Sequence, residues 1–312
     1  MNDQVSRRGW LRAAAALGAT GVVGGLDPRS AWAQQSRGVG PDAYYNKSGP
    51  QVAVGQGLNI GYREAWLGAP WEKPEAMLLI HGNIESGVVW YGWVPRLGGE
   101  FRLLIPDMPG FGHSTMPANF QYTLPNVAGA MAGFLDKMGV ESAHIVAAKT
   151  GGSIGVQFAA SYPQRTKTLV LATAPLSPEV KAANAPPRQS PDEILDQSKR
   201  LGSAASKEQV AFYDKMIEAT VPEPSRSMRK MLTEGRNSKY LEGLLPKIKA
   251  PTLVITSDRN AQVSVPAAVA NQKMIANSRL LVITSDAYHI ILANTDEVIA
   301  NVRAFIRAQR KA

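Results

Sequence analysis

The stretch that decides the fold is AHIVAAKTGGSIG, residues 143–155. Its first half is a short apolar run with β-branched residues, typical of a buried strand, and Gly151 and Gly152 precede an amphipathic helical pattern. Between the two halves, Lys149 occupies the position where the chain must turn sharply. Strand, tight turn and helix in this order form a nucleophile elbow, whose turn residue stands at the carboxyl end of a parallel strand. The pattern therefore predicts a functional side chain at position 149.

Composition limits the classes of protein to which the chain can belong. It has 312 residues, 45% of them hydrophobic, which suits one α/β domain with an insertion. The absence of cysteine excludes disulfides, thiolate metal sites and cysteine nucleophiles. The formal charge is +9, but no basic run with interleaved aromatic residues occurs, so we expect no nucleic-acid partner. We also expect no metal ion and no cofactor.

Residues 1–33 have the pattern of an export signal. A twin-arginine pair lies in SRRGWL at 6–11, a mild Ala- and Gly-rich apolar segment covers 11–26, and AWA at 31–33 offers a small-x-small cleavage site. The apolar segment is too short for a stable membrane span. We therefore expect the twin-arginine export machinery as a partner and a periplasmic or secreted protein, with 34–50 as a flexible lead-in.

The remaining chain alternates strands and helices, with one interruption. A turn at 55–57 joins two segments that predict an antiparallel pair, and short apolar strands then alternate with amphipathic helices. This order predicts a mostly parallel, eight-stranded sheet with helices on both faces. Residues 175–249 lack a buried strand and contain helical patterns, which predicts an inserted helical cap. The core is then 51–174 and 250–312.

These residues resemble the α/β-hydrolase superfamily, in its HG-type branch with a cap. The resemblance rests on collinear motifs across the mature chain, and it implies an α/β-hydrolase fold with a nucleophile, an acid and a histidine in that order. The motifs are LLIHGN at 78–83, PDMPGFGHS at 106–114, the elbow at 143–155, YPQRTKTLVL at 162–171, PTLVITSDRN at 251–260, and DAYH with DEV at 286–298.

Two of the three positions of that triad depart from the family pattern, whereas the histidine matches it. The resemblance places Lys149 at the nucleophile, His289 at the histidine and Asn260 at the acid, with Asp258 as a possible alternative acid. It also implies an oxyanion hole formed by the backbone N–H groups of Asn83 and Thr150.

A second frame places a serine in a G-x-S-x-G pattern. Residues 151–155 read GGSIG, with Ser153 at the centre. In that frame Ser153 would lie one turn into the helix and Lys149 would lie inside the strand. The collinear motif at 162–171 instead favours Lys149 at the turn.

A lysine at the elbow limits the chemistry. Burial and the helix N-terminus both disfavour the ammonium, so the pKa of Lys149 should be lowered. Because acylation of an amine gives an amide that does not turn over readily, ordinary acyl-enzyme hydrolysis through Lys149 is not expected. We expect a hydrolase-like enzyme acting on a small carbonyl compound (ester, lactone or ketone), with Lys149 as amine or electrophile and His289 as general base.

Trp90 and Tyr91 either line the substrate cleft or belong to the core.

Two alternatives remain open at this stage. In one, Lys149 forms an imine and the protein is a C–C lyase or decarboxylase. In the other, the altered triad is inactive and the pocket binds a ligand without chemistry.

Overall fold

The computed structural model describes residues 50–176, 198–219 and 222–310. The predicted signal at 1–33, the lead-in up to residue 49 and part of the predicted cap therefore lie outside the described residues. The predicted division into core and cap stays a prediction.

An eight-stranded sheet forms the centre of the molecule, in the order β1-β2-β4-β3-β5-β6-β7-β8. The pairs β1–β2 and β2–β4 are antiparallel, and every other neighbouring pair is parallel. The predicted eight-stranded, mostly parallel α/β fold is thereby confirmed. The strands are β1 Gln51–Gly55, β2 Leu58–Ala65, β3 Ala76–Ile80, β4 Arg102–Pro106, β5 Ala143–Ala148, β6 Thr166–Ala172, β7 Thr252–Ser257 and β8 Ser278–Ile283.

Helices cover the sheet, and helices also occupy the described parts of the interval between β6 and β7. The described helices are α1 Val94–Leu97, α2 Leu124–Lys137, α3 Gly151–Ser161, α4 Ser198–Leu201, α5 Lys207–Glu218, α6 Pro222–Asn237, α7 Tyr240–Leu244, α8 Val265–Lys273, α9 Ile290–Ala293 and α10 Thr295–Gln309. Short 3₁₀ segments add Gly87–Trp93, Pro163–Arg165 and Leu245–Lys247. Helices α4 to α7 lie where the sequence predicts helices and no strand.

The central strands are buried on both faces, which explains their unbroken apolar sequences. All residues of β3 and β5 are buried, as expected for parallel strands covered by helices on each side. Two hydrophobic clusters result, one on each face, and Ile145 and Val146 of β5 point into different clusters. Parallel packing of this kind brings the loops that follow β3, β5, β7 and β8 to one edge of the sheet.

None of the described helices is both long and apolar enough to cross a membrane. Within the same part of the chain, no group of three or more His, Cys, Asp or Glu side chains is arranged to hold a metal ion.

Candidate active site

The elbow forces Lys149 into a strained backbone conformation. Its φ is +53°, in the left-handed region that a residue with a Cβ rarely adopts. The turn is tight because Gly151 passes close to the loop that follows β3. A Cβ on Gly151 would lie 2.3 Å from the carbonyl oxygen of His81 in that loop. The strained turn points the Lys149 side chain inward at the carboxyl end of β5, where 2% of its surface is exposed.

Glu85 is the partner of Lys149, and the sequence analysis missed it. The Lys149 Nζ contacts Glu85 Oε1, and Glu85 Oε2 accepts a hydrogen bond from the Gly82 N–H at 3.1 Å. Glu85 lies in the loop after β3, directly after Ile84, which has φ +58° although it is β-branched. Backbone strain of this kind persists only where the surrounding structure fixes the conformation, and it is concentrated at functional sites. A signal for Glu85 was available, because a buried lysine requires a counter-ion and an acid follows the HG motif.

His289 meets the same carboxylate. Its Nε2 lies 2.9 Å from Glu85 Oε1, although not along the line of a well-aligned hydrogen bond. Its Nδ1 has no hydrogen-bond partner among the described residues. The structure therefore brings Lys149 and His289 to the same carboxylate oxygen of Glu85.

The Asn260 side chain makes its hydrogen bonds to groups at the end of β7 and in the loops that follow β7 and β8. Its amide Nδ2 donates to Ser257 Oγ at 3.0 Å and to the carbonyl oxygen of Ala287 at 3.1 Å. Its Oδ1 accepts from the N–H groups of Gln262 and Val263 at 2.9 and 2.8 Å. These four bonds use the whole hydrogen-bonding capacity of the amide. Asn260 thus holds the loop after β7 and has no capacity left for orienting the imidazole.

Asp258, the alternative acid, is exposed and accepts a hydrogen bond from the Ser285 N–H at 2.9 Å. That bond joins the loops after β7 and β8. The structure places Asp258 in a loop-fixing role, with no contact to His289 in the described part of the chain.

The proposed oxyanion donors lie beside the elbow. The backbone N–H of Asn83 donates to the Thr150 side-chain oxygen at 2.6 Å. The two residues are therefore adjacent, as the resemblance implies, but the Thr150 hydroxyl engages one of the two backbone donors. The side chain of Ser153, the centre of the second frame, is buried within α3 and has no hydrogen-bond partner among the described residues.

Trp90 and Tyr91, which follow the HG motif in the sequence, lie in different environments. Trp90 is fully buried and packs edge-on against Trp93 at 4.9 Å, in one of the two hydrophobic clusters. Tyr91 is partly buried, and its ring lies 4.6 Å from that of Phe212 on α5. Core packing therefore explains Trp90, whereas Tyr91 contacts a helix inserted after β6.

Tyr213 on α5 completes the cluster and was also missed. Its hydroxyl oxygen lies 2.5 Å from Lys149 Nζ and donates to Glu85 Oε1 at 2.7 Å. Its ring lies edge-on to the His289 imidazole at 4.9 Å. No residue pattern in the sequence distinguishes Tyr213 from the other tyrosines, because only the three-dimensional placement of α5 brings it to the elbow.

The protonation states follow from burial and from these contacts. Burial lowers the pKa of Lys149 to about 8, although the Glu85 carboxylate opposes that shift. Burial also lowers the pKa of His289 to about 4, again against the effect of Glu85. Burial alone would raise the pKa of Glu85, but His289 and Lys149 hold it well below its usual value. At neutral pH, Glu85 is therefore an anion, His289 is neutral and Lys149 is mostly a cation with a substantial amine fraction.

Comparison with known proteins agrees with this arrangement of strands and elbow. The family model described as "alpha/beta hydrolase fold" matches residues 75–230, half of the chain. The chain belongs to the α/β-hydrolase fold family.

Individual relatives match over shorter segments. A pimeloyl-[acyl-carrier protein] methyl ester esterase of Aeromonas hydrophila is 35% identical over 94 residues, which cover 30% of this chain and 35% of that protein. A 2-hydroxymuconate semialdehyde hydrolase of Pseudomonas sp. is 31% identical over 121 residues, covering 38% and 41%. The chain thus spans roughly a third to two fifths of the length of the curated relatives it matches.

Solved structures extend the likeness to most of the chain. An enol-lactonase from Burkholderia xenovorans is 22% identical, with a TM-score of 0.70, and the match covers 83% of this chain and all of that one. At this identity the likeness establishes the fold.

Proposed function

We propose that this α/β-hydrolase-fold protein is a hydrolase-class enzyme that acts on small carbonyl compounds at a Lys149–His289 site. The observation that carries the proposal is the meeting of Lys149 Nζ and His289 Nε2 at one oxygen of Glu85. A cation, a neutral imidazole and a carboxylate at the carboxyl edge of the sheet are the groups that carbonyl chemistry requires. Glu85 supplies the buried anion that Asn260 does not supply.

Each group has a role in the proposed reaction. The Lys149 ammonium polarises the substrate carbonyl, while neutral His289 accepts a proton from water as the water oxygen adds to the carbonyl carbon. The Glu85 carboxylate stabilises the imidazolium that forms. The imidazolium then returns its proton to the leaving group, and the C–O or C–C bond breaks. Lys149 stays unacylated, so no stable amide blocks turnover.

The names of the relatives support a carbonyl substrate. The esterase and the semialdehyde hydrolase are named for an ester and an aldehyde, and the structural relative is named for a lactone. All three names refer to a carbonyl group, although the ester of the first is carried on an acyl-carrier protein.

A second candidate function is C–C cleavage or decarboxylation through a Lys149 imine. The lowered Lys149 pKa, about 8, favours it, because an amine fraction is present at neutral pH. The amine would add to a ketone or aldehyde and expel the carbonyl oxygen as water. The imine would then accept the electron pair released from the breaking C–C bond.

One experiment separates these candidates. Wild type and the variants Lys149→Met and His289→Gln are assayed on a panel of p-nitrophenyl acetate, a butyrolactone and acetoacetate, with and without borohydride. The surface substitution Lys137→Met is the matched control. Hydrolysis that Lys149→Met and His289→Gln both abolish, with no borohydride adduct, supports the hydrolase. A reduced adduct on the peptide containing Lys149 supports the imine. Neither turnover nor adduct on any substrate would contradict both and indicate a protein that only binds its ligand.

We also propose that the protein is exported by the twin-arginine machinery and works in the periplasm or outside the cell. The support is the order of Arg7-Arg8, the apolar segment and the AWA site at 31–33. Fractionation of cells that express wild type and the variant Arg7→Lys/Arg8→Lys tests it. Retention of the unprocessed variant in the cytoplasm, with export of wild type, is the expected result, and equal export would contradict the proposal.

A further inference from the structure

Helix α5, which is not part of the sheet, places the Tyr213 side chain against Lys149 and Glu85. The Tyr213 side chain is fully buried, and its hydroxyl oxygen is within hydrogen-bond distance of both Lys149 and Glu85. The Lys149 Nζ also lies 5.2 Å from the centre of the Tyr213 ring, in cation–π range. The tyrosine therefore closes the space above the elbow as well as contacting its polar groups.

A cap at its first turn and two contacts with other elements fix α5. The helix begins with a capping box, in which Ser206 and Gln209 bond each other's backbone N–H groups. The Gln209 side chain also donates to the carbonyl oxygen of Leu292 at 2.9 Å, next to the histidine loop. Phe212 packs on Tyr91. Helix α5 thus contacts both α9, which directly follows His289, and the 3₁₀ segment Gly87–Trp93.

Four side chains of the site have almost no exposed surface. Lys149, Glu85, His289 and Tyr213 are each at most 2% exposed. A substrate must reach the Lys149 Nζ, and α5, which is not part of the sheet, places Tyr213 directly against that atom.

We propose that Tyr213 is a positioning residue, whose docking with helix α5 converts Lys149 from a solvated ammonium into a reactive amine. The inference rests on the second candidate function, in which the Lys149 amine forms an imine, and deepens it, because it makes the docking of α5 the event that raises the amine fraction. When α5 is docked, the ring excludes water from the Nζ. When α5 moves away, water solvates the ammonium.

The groups that face Lys149 come from every element around it. Glu85 after β3 favours the cation, Arg200 on α4 disfavours it, and burial disfavours it most. Neutral His289 shares the Glu85 oxygen, and the Tyr288 ring lies 5.4 Å from Nζ. Since burial is the largest influence, the enclosing Tyr213 ring should matter more than its hydroxyl.

The size of the expected effect follows from the two protonation equilibria. With a pKa of about 8, the amine fraction at pH 7 is roughly 200 times that of a solvated lysine with a pKa of about 10.4. A change of this size is measurable without any substrate.

The test is a direct titration of Lys149 by NMR. Protein with ¹³C-labelled lysine is followed from pH 6 to 11, and the Lys149 Cε resonance is assigned by its absence in Lys149→Met. We expect a midpoint near 8 in wild type, a midpoint that stays low in Tyr213→Phe and Tyr213→Leu, and a shift toward 10.4 in Tyr213→Ala. The matched control is Tyr240→Ala, which removes a half-exposed tyrosine on α7 that bonds Gln157.

Each outcome decides the proposal. A wild-type midpoint retained in Tyr213→Ala would overturn it, as would an equal upward shift in Tyr240→Ala. If Tyr213→Ala does not fold, Tyr213→Ser serves in its place. Because the titration needs no turnover, a failure to find a substrate would count against the proposed function and leave this result intact.

Discussion

Lys149 and Glu85 form an ion pair that is buried within the core of the site, with at most 2% of either side chain exposed. Burying two charges is costly unless they are paired and further hydrogen-bonded. Here Tyr213 and the Gly82 N–H supply the additional bonds to the carboxylate. The elbow lysine and the HG-loop glutamate therefore have to be considered as one unit in any account of stability or activity.

Removing one member of this pair should destabilise the protein more than removing both. We expect Lys149→Met to cost about 3–5 kcal/mol of unfolding free energy, because it leaves Glu85 as a buried, poorly compensated anion. The double variant Lys149→Met/Glu85→Gln should cost less than Lys149→Met alone, since the amide keeps the bond from the Gly82 N–H without a charge. Urea unfolding at pH 7.5 measures the free energy of unfolding of wild type, of Lys149→Met, of Glu85→Gln and of the double variant.

The exposed pair Lys230–Glu234, 4.0 Å apart on α6, provides the control. Lys230→Met should change the free energy of unfolding by no more than about 0.5 kcal/mol. Strict additivity of Lys149→Met and Glu85→Gln would show that the two side chains do not interact.

Stability should fall as the solution is acidified through the range from pH 6.5 to 4. The pKa of His289 is lowered by burial to about 4 in the folded protein, against 6.5 in an unfolded chain. Between these values the unfolded chain binds a proton that the native protein does not, so the free energy of unfolding decreases as pH decreases, by up to about 3 kcal/mol. His144, whose pKa burial also lowers to about 4, adds to the same decrease.

Urea unfolding at pH 7.5, 6.5, 5.5 and 4.5 measures this dependence. His289→Gln should show a shallower dependence than wild type, and His113→Gln, on a half-buried loop position, serves as the control. Identical slopes for wild type and His289→Gln would mean that His289 takes up its proton without loss of the fold.

Asn260→Asp should destabilise the protein without increasing its rate of hydrolysis. The Asn260 Nδ2 donates to Ser257 Oγ and to the Ala287 carbonyl oxygen, and a carboxylate would replace that donor with a second acceptor. We expect a loss of about 1–3 kcal/mol in the free energy of unfolding, measured in urea. Asp258→Asn, on the exposed neighbour, is the matched control. A gain in esterase activity on Asn260→Asp would instead show that position 260 acts on His289.

The strands, the elbow and the position of His289 could be predicted because each has a local sequence pattern. Apolar runs specify β3 and β5, and the glycines after Lys149 specify a turn that no larger residue fits. Glu85 and Tyr213 could not be found in the same way, since their roles depend on which loops and helices meet at the edge of the sheet. Asn260 was assigned from its place in a motif, whereas its four hydrogen bonds depend on the detailed path of two loops.

The Thr150 hydroxyl should limit any esterase activity that a serine introduced at the elbow provides. The Asn83 N–H, one of the two expected oxyanion donors, donates to Thr150 Oγ1 at 2.6 Å and is therefore engaged before a substrate arrives. In Lys149→Ser, a hydroxyl nucleophile takes the place of the amine at the elbow. Adding Thr150→Val removes the competing acceptor while keeping a β-branched side chain. Because one oxyanion donor is worth about 10²–10³ in kcat, we expect Lys149→Ser/Thr150→Val to hydrolyse p-nitrophenyl acetate at least 10-fold faster than Lys149→Ser. Lys149→Ala/Thr150→Val, which lacks the nucleophile, should show no such gain, and an equal gain in that control would place the reaction outside the elbow.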